Sequence, residues 1–277
     1  MDIMNFGDCI KDGNYKLHSK FKSVHNYTYN NEMVSLVSTK VGTGPNNIVV
    51  NIFPQQAEQV LKIHNQTISI GNNVLNIDPK ESQIIKDIYV NSLLELKYKI
   101  EILTEVISDN ISPVSLGFLL FPKNETFLKT TFEKAFLDHV KKTCKSISLE
   151  KLPTVAKNMK GVGFGLTPSG DDFNCGVLYA LNYLKEIINK DISERIEECF
   201  KNSIGNNLIS NAFLKYAYSN KYYENFHGLL KVLKQNNKNL ISHYTNKIIG
   251  SGHTSGSDML TGFILTIKGV LNDKKFS

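Results

Sequence analysis

Two segments of the chain, residues 163–172 and 250–258, carry glycines and polar side chains in the same order. With one gap at Pro168, both read Gly-x-Gly-x-Thr and then Ser-Gly-x-Asp, and each is followed by an apolar helical pattern. Glycine turns let backbone N–H groups converge on a ligand, and helix N-termini carry partial positive charge. The repeat therefore predicts a site for a small anion where the two loops meet.

The side chains of the two loops suggest distinct roles. The groups expected to bind substrate are Gly163, Gly165, Thr167, Ser169 and Gly170 in the first loop and Gly252, Thr254, Ser255 and Gly256 in the second. The predicted catalytic set is His253, Asp171, Asp172 and Asp258. His253 would act as a general acid or base, and the three carboxylates would orient an amide or bind a cation that accompanies the anion.

A purely structural interpretation of the same residues stays open. Ser-x-x-Asp ahead of an apolar run is the capping-box pattern, with Ser169 and Ser255 as N-caps and the last aspartate of each loop at N3. A glycine follows four residues later in both copies, at Gly176 and Gly262, and would mark where two related helices cross. Capping does not account for the preceding glycine turns, Asp171 or His253, so the ligand-binding interpretation is favoured.

Other site types find little support in the sequence. No Gly-Lys-Ser/Thr follows the glycines, so neither loop is a P-loop, and no βαβ pattern supports a dinucleotide fingerprint. The four cysteines lie far apart, at Cys9, Cys144, Cys175 and Cys199, which gives no metal-ligand spacing. We expect no metal site of the zinc type and no cofactor.

The hydrophobic period divides the chain in two. Residues 15–29, 33–37, 48–53, 66–70 and 74–77 favour short strands, and residues 42–47 form a turn cluster. Helical spacing then covers 83–107, 127–140, 171–188, 192–204, 208–217, 226–233, 240–249 and 259–271. The prediction is an α+β protein: a β-rich barrel or sandwich over residues 1–85, packed on a mostly α-helical region over residues 86–277 that carries both loops.

Composition and charge narrow the choice of partners. The longest apolar run, residues 114–121, is too short to cross a bilayer, and no signal-peptide pattern opens the sequence, so we expect a cytoplasmic protein. The net charge is +6, but Arg195 is the only arginine among 32 basic residues, and the lysines are spread along the chain. Because the arginine fork is the usual reader of phosphates and guanine edges, nucleic acid is not expected as a partner.

The two loops resemble those of a bacterial family called AllH. The resemblance rests on residues 165–172 and 252–258, on the spacing between them, and more weakly on Ser23-Val24-His25 and Gly42-Thr43-Gly44-Pro45. It implies one subunit of an oxamate carbamoyltransferase in anaerobic purine (allantoin) breakdown, with an FdrA-type subunit and an AllG-type subunit as partners. It also implies carbamoyl phosphate as the product that feeds ATP formation, and activity only when the partners are present.

Two other functions remain open. The chain could be a non-catalytic subunit that binds partners in an FdrA-type complex, or a stand-alone hydrolase that binds a small anion. The segment Asn206-Asn207-Leu208-Ile209-Ser210-Asn211 departs from the family pattern, so the substrate need not be the same. Ser210 is a weak site candidate, since a serine on a helix face is more often structural.

Overall fold

The computed structural model describes residues 1–65, 67–76, 88–235 and 237–273. The chain divides into two compact units, one formed by Met1–Lys86 with Lys221–Glu224, the other by Asp87–Asn220 with Asn225–Ser277. The fold is α+β, with a β-barrel in the N-terminal part and helices in the C-terminal part, as the hydrophobic period predicts.

The first unit is an eight-stranded sheet that curls into a nearly closed barrel. Its strands are β1 (Ile3–Phe6), β2 (Gly13–Lys20), β3 (Val24–Tyr29), β4 (Glu32–Ser38), β5 (Asn47–Val50), β6 (Val60–His64), β7 (Thr67–Ile70) and β8 (Asn73–Asn76). They lie in the order β1-β5-β4-β3-β2-β6-β7-β8, and every neighbouring pair is antiparallel except β4 and β5.

Large side chains on one face of the strands form the core of this unit. Tyr15, Tyr27, Leu36, Ile48 and Leu61 are almost fully buried there. The alternation is clearest in β6, where buried and exposed residues follow one another as a half-buried strand requires. The predicted strand over 48–53 ends at Val50, and positions 66 and 77 of the two last predicted strands lie outside the described residues.

The second unit is helical. Its helices are α1 (Leu93–Ile107), α2 (Thr131–Thr143), α3 (Leu152–Met159), α4 (Ser169–Lys185), α5 (Ser193–Ser203), α6 (Leu208–Tyr218), α7 (Glu224–Gln235), α8 (Lys238–Ile249) and α9 (Ser255–Leu271). Two 3₁₀ turns, Leu116–Leu119 and Pro122–Phe127, precede α2. Helix α4 is buried from Ser169 to Leu184 and packs mainly on α9, so these two helices form the centre of the unit.

Two predicted helices begin later in the structure, α9 begins earlier than predicted, at Ser255, and one helix was not predicted. The helix predicted over 83–107 begins only at Leu93, because Ser92 caps it by accepting from the Glu95 amide at 3.1 Å; residues 83–87 lie outside the described part. The helix predicted from 127 begins at Thr131, after a capping box between Thr130 and Glu133. Helix α3 was not predicted, since eight residues give too few turns for a clear period. No helix among the described residues is long and apolar enough to cross a membrane.

Candidate functional site

The two predicted loops join matching pairs of helices. The first loop connects α3 to α4, and the second connects α8 to α9. A Cβ at Gly170 would lie 1.9 Å from the carbonyl oxygen of Met159, and a Cβ at Gly256 would lie 1.8 Å from that of Ile248. Each glycine therefore lets the start of the second helix press against the end of the first. The sequence repeat is thus a structural repeat of a helix–loop–helix unit.

The two central helices cross at the second pair of repeated glycines. A Cβ at Gly176 would lie 2.0 Å from the carbonyl oxygen of Met259, and one at Gly262 would lie 2.1 Å from that of Phe173. The four positions are equivalent in the repeat, so the contact is reciprocal. The prediction that Gly176 and Gly262 mark a helix crossing is confirmed.

This crossing brings the two loops together. The hydroxyl oxygens of Thr167 in the first loop and Ser255 in the second lie 3.1 Å apart, and Thr167 also donates to Oδ2 of Asp172 at 3.0 Å. Gly163, Gly165 and Gly252 have φ values of 105°, 96° and 88°, a backbone conformation that favours glycine. The loops therefore meet through side chains while their glycine turns remain at the surface or partly exposed.

Two buried carboxylates lie behind this contact. Oδ1 of Asp258 accepts from the Leu116 amide at 2.6 Å, and no hydrogen-bond donor reaches its Oδ2. Burial raises the pKa of Asp258 to about 7, against the opposing effects of the Leu116 amide and the hydroxyls of Ser169 and Thr254. Burial and then the charge of Asp258 raise the pKa of Asp172 well above its usual value, although the hydroxyls of Ser255 and Thr167 lower it. The pair therefore holds a proton near neutral pH.

Asp171 has a different environment from the other two acids. Its Oδ1 accepts from the Gly161 amide at 2.7 Å. Burial raises its pKa, and the Gly161 amide, the Ser210 hydroxyl and the charge of Lys160 oppose that rise. The equivalent residue in the second loop is Ser257, whose hydroxyl accepts from the Ser112 amide at 3.0 Å. Only the first loop therefore places a carboxylate at this position.

The capping-box interpretation of the loops is wrong. The N-cap residues are Pro168 for α4 and Thr254 for α9, one position before the predicted serines, and neither makes a side-chain capping bond. The aspartate side chains bond elsewhere: Asp172 accepts from the Thr167 hydroxyl and Asp258 from the Leu116 amide. A buried backbone N–H at the start of a 3₁₀ turn needs an acceptor, and Asp258 supplies it.

His253 lies exposed on the second glycine turn. Its repeat equivalent, Leu166, is also exposed at the tip of the first loop, next to Phe164. The Phe164 ring packs on Phe132 and Phe136 of α2, with ring centroids 5.0 and 5.9 Å away. The first loop is therefore fixed by aromatic packing, and the assignment of His253 to proton transfer stays a prediction.

A cleft of about 470 Å³ opens beside the first loop. Its lining residues are Lys160, Gly161, Pro168, Asp171, Ile204, Gly205, Asn206 and Asn207. None of them belongs to the second loop; half come from the connection between α5 and α6. In the sequence, residues 206–211 stand out only as a departure from the family pattern, and a role in lining a cleft was not predicted. The run of glycine and asparagine before α6 is the feature that could have indicated it.

Asn207 fixes the start of α6 against the first loop. Its Oδ1 accepts from the Ser210 amide at 3.0 Å, and its Nδ2 donates to the Leu166 carbonyl at 2.7 Å. Ser210 itself is buried next to Asp171, and its hydroxyl lowers the pKa of that carboxyl. Ser210 therefore belongs to the surroundings of Asp171, although it does not line the cleft.

In the described parts of the chain, no group of three or more His, Cys, Asp or Glu side chains is arranged so that it could hold a metal ion. Cys175 and Cys199 are buried, and burial raises the pKa of both thiols, that of Cys199 to about 12. These two thiols therefore stay protonated at neutral pH.

The fold and the loops define a class of protein: an α+β chain whose helical unit contains a duplicated helix–loop–helix with buried carboxylates behind glycine turns. Comparison with known families adds one finding. Residues 159–267, which include both loops and helices α4 to α8 between them, match the family model described as oxamate carbamoyltransferase subunit AllH. No curated protein and no solved structure is detectably similar to the chain.

Proposed function

We propose that the chain is a subunit of a carbamoyltransferase that acts on oxamate and carbamoyl phosphate. The observation that carries the proposal is the 3.1 Å contact between Thr167 and Ser255, which joins two glycine turns in front of the buried pair Asp172 and Asp258. The family match over residues 159–267 supports the same activity by its description. In the proposed site, the glycine turns bind the carboxylate or phosphate of the substrate between them.

The chemistry needs an oxyanion site and a group that moves a proton. The amide nitrogen of oxamate forms a bond to the carbamoyl carbon, the bond from that carbon to the phosphate oxygen breaks, and phosphate leaves. His253 takes the proton that the nitrogen loses and passes it to the departing phosphate. Backbone amides of residues 163–165 and 252 stabilise the charge that develops on the carbamoyl oxygen, while the hydroxyls of the two loops hold Asp172 and Asp258 in place. The reverse direction yields carbamoyl phosphate.

The raised pKa values remove an apparent conflict in this site. Ionised acids in the first turn of a helix would weaken its attraction for an anion. Because burial favours the neutral form of Asp172 and Asp258, the pair adds less negative charge behind the two loops. A bound cation is then not needed to compensate their charge. Asp171, near Lys160, orients the amide of the substrate.

The partners in this proposal are an FdrA-type and an AllG-type subunit, in anaerobic breakdown of purines by way of allantoin. The support is the description of the matched family as one subunit, which implies a complex of several chains. A second candidate function is a non-catalytic subunit that binds those partners. The exposed side chains of Phe164 and Leu166 at the tip of the first loop favour it, because exposed apolar side chains beside a site are common where proteins dock.

The test uses the enzyme assembled with both partner subunits. His253→Ala and Asp171→Asn should each lower kcat for carbamoyl transfer between carbamoyl phosphate and oxamate by roughly a hundredfold. His243→Ala and Asp138→Asn change exposed residues of α8 and α2 and serve as matched controls that retain the parental rate. Parental turnover by both site variants would contradict the catalytic role and leave the partner-binding function.

A further inference from the structure

The cleft beside the first loop contains one cation and one anion that do not pair with each other. Lys160 and Asp171 both line it, and the charge of Lys160 is close enough to influence Asp171. Among the residues that the structure describes, no carboxylate lies within 4.0 Å of the Lys160 ammonium. The ammonium is therefore available to a ligand.

The position of Lys160 is set by its stem. A Cβ added to Gly205 would lie 3.4 Å from Cγ and Cδ of Lys160, so the aliphatic part of the lysine runs along Gly205. Gly205 is in turn held on both sides by Asn211, which accepts from its amide at 3.0 Å and donates to its carbonyl at 2.8 Å. This packing holds the ammonium at the cleft, because the lysine stem lies along Gly205 and the position of Gly205 is fixed by Asn211.

Asp171 is the acceptor of the cleft. The residue is more than nine-tenths buried, and the Gly161 amide engages only its Oδ1. Beside it lies the buried Ser210 hydroxyl, which favours the ionised form of Asp171. A buried carboxylate at the edge of a cleft gains most from a ligand that offers an N–H donor.

The two charges select a ligand with two kinds of group. A plain anion is attracted by Lys160 and repelled by Asp171, so the two effects largely cancel. A carboxylate whose neighbouring carbon carries an N–H group satisfies both side chains at once. The side chain of Asn207 is already engaged with Leu166 and Ser210, so it shapes the wall of the cleft and is not available to the ligand.

We infer that this cleft is the substrate subsite of the chain, in which Lys160 binds the carboxylate of a small acid and Asp171 accepts a hydrogen bond from an N–H group on the adjacent carbon. The choice of oxamate as the probe rests on the proposed function. The inference adds Lys160 and the connection between α5 and α6 to the site. It places the small acid beside the first loop, so that the two glycine turns of the proposed function bind the phosphate.

The test measures binding to the full chain by calorimetry with three small acids. Oxamate and pyruvate have the same shape and charge, but pyruvate has a methyl group where oxamate has NH₂. Oxamate should bind at least about tenfold more tightly than pyruvate, since a site that accepts an N–H rejects the analogue without it. Glycine, which offers an ammonium in place of an amide, tells whether the subsite takes an amino acid or an amide.

Two variants assign the interaction to its residues. Lys160→Met keeps the stem along Gly205 and should weaken oxamate and pyruvate alike, by roughly tenfold. Asp171→Asn should reduce the preference for oxamate over pyruvate. Lys157→Met changes an exposed lysine of helix α3, three residues before Lys160, and is the matched control that should bind as the parental chain does.

The inference is overturned if Lys160→Met binds oxamate as the parental chain does, if pyruvate binds as tightly as oxamate, or if the parental chain binds none of the three acids. These outcomes are separate from those for the proposed function. If the assembled enzyme transfers no carbamoyl group but oxamate binding depends on Lys160, the subsite stands and the proposed activity is wrong. If transfer depends on His253 but not on Lys160, the proposed activity stands and the subsite is wrong.

Discussion

At the scale of single residues, the main feature is the pair of buried carboxylates. Asp172 and Asp258 occupy equivalent positions of the two repeats, and each lies in the first turn of a central helix. Neither has a cationic partner among the described residues, and Asp258 keeps one oxygen without any hydrogen bond. Burial of this kind is costly for an ionised acid, so the pair is a source of pH dependence in the folded chain.

The stability of the chain should fall as pH rises through the acidic range. In the folded chain Asp258 keeps its proton up to about pH 7, whereas after unfolding it ionises near 3.8. Between these pH values the folded state binds more protons, so the free energy of unfolding falls with rising pH and the loss is complete above about 7. The loss is at most on the order of 4 kcal/mol from Asp258.

Urea unfolding at pH 5 and pH 8 measures this effect. Asp258→Asn keeps an acceptor for the Leu116 amide and cannot ionise, so its stability should differ less between the two pH values than that of the parental chain. Asp138→Asn, on the exposed face of α2, should leave the difference as it is. An equal difference in the parental chain and in Asp258→Asn would show that this carboxyl is not the source.

At the scale of elements, the site depends on how closely α4 and α9 approach. The two helices cross where each has a glycine, and each glycine faces a backbone carbonyl of the other helix. Only this approach brings Thr167, in the first copy of the repeat, within hydrogen-bonding distance of Ser255, in the second copy. The position of the loops is thus a consequence of the helix crossing.

Adding one methyl group at the crossing should disturb the whole helical unit. Gly176→Ala and Gly262→Ala would each place a Cβ about 2 Å from a carbonyl oxygen, so the helices must separate. We expect each to lower the free energy of unfolding by about 3 kcal/mol or more. Thermal unfolding measures this.

Gly205→Ala is the matched control for the crossing variants, because its Cβ would meet only the flexible side chain of Lys160, at 3.4 Å. Gly205→Ala should lower the free energy of unfolding by less than about 1 kcal/mol. If Gly176→Ala is as stable as Gly205→Ala, then the helices do not meet as closely as described.

At the scale of the whole molecule, the chain has two compact units, and the proposed chemistry lies in the helical one. The segment Lys221–Glu224 leaves the helical part of the sequence to join the barrel unit, where Glu224 accepts from the Thr43 amide at 2.7 Å and Tyr223 donates to Asn46 at 2.7 Å. Every residue named for the candidate site belongs to the helical unit.

The isolated chain should not transfer carbamoyl groups. We expect carbamoyl phosphate and oxamate to turn over only when the FdrA-type and AllG-type subunits are added, since the matched family is one subunit of its enzyme. Phosphate release measured on the chain alone, on the partners alone and on the mixture tests this. Turnover by the chain alone would favour a stand-alone enzyme, and turnover by the partners alone would favour a non-catalytic role.

Local patterns were enough to predict much of the architecture. Alternation in the first part and helical spacing in the second gave the α+β class, and helices α5 to α9 were predicted within a few residues of their bounds, except for the start of α9 at Ser255. The internal repeat identified both loops and the glycine pair at the helix crossing. These features could be predicted because each depends on the pattern of side chains within one segment, and such a pattern repeats every few residues.

The sequence by itself determined which segments form strands and helices and which loops are related, because those properties depend on neighbours in the chain. Only the tertiary structure decided which atoms meet. Asp258 bonds the amide of Leu116, 142 residues away, instead of capping its own helix, and Lys160 comes to lie along Gly205. Such pairings are set by helix packing and by the need to satisfy buried polar groups, and neither leaves a periodic trace in the sequence.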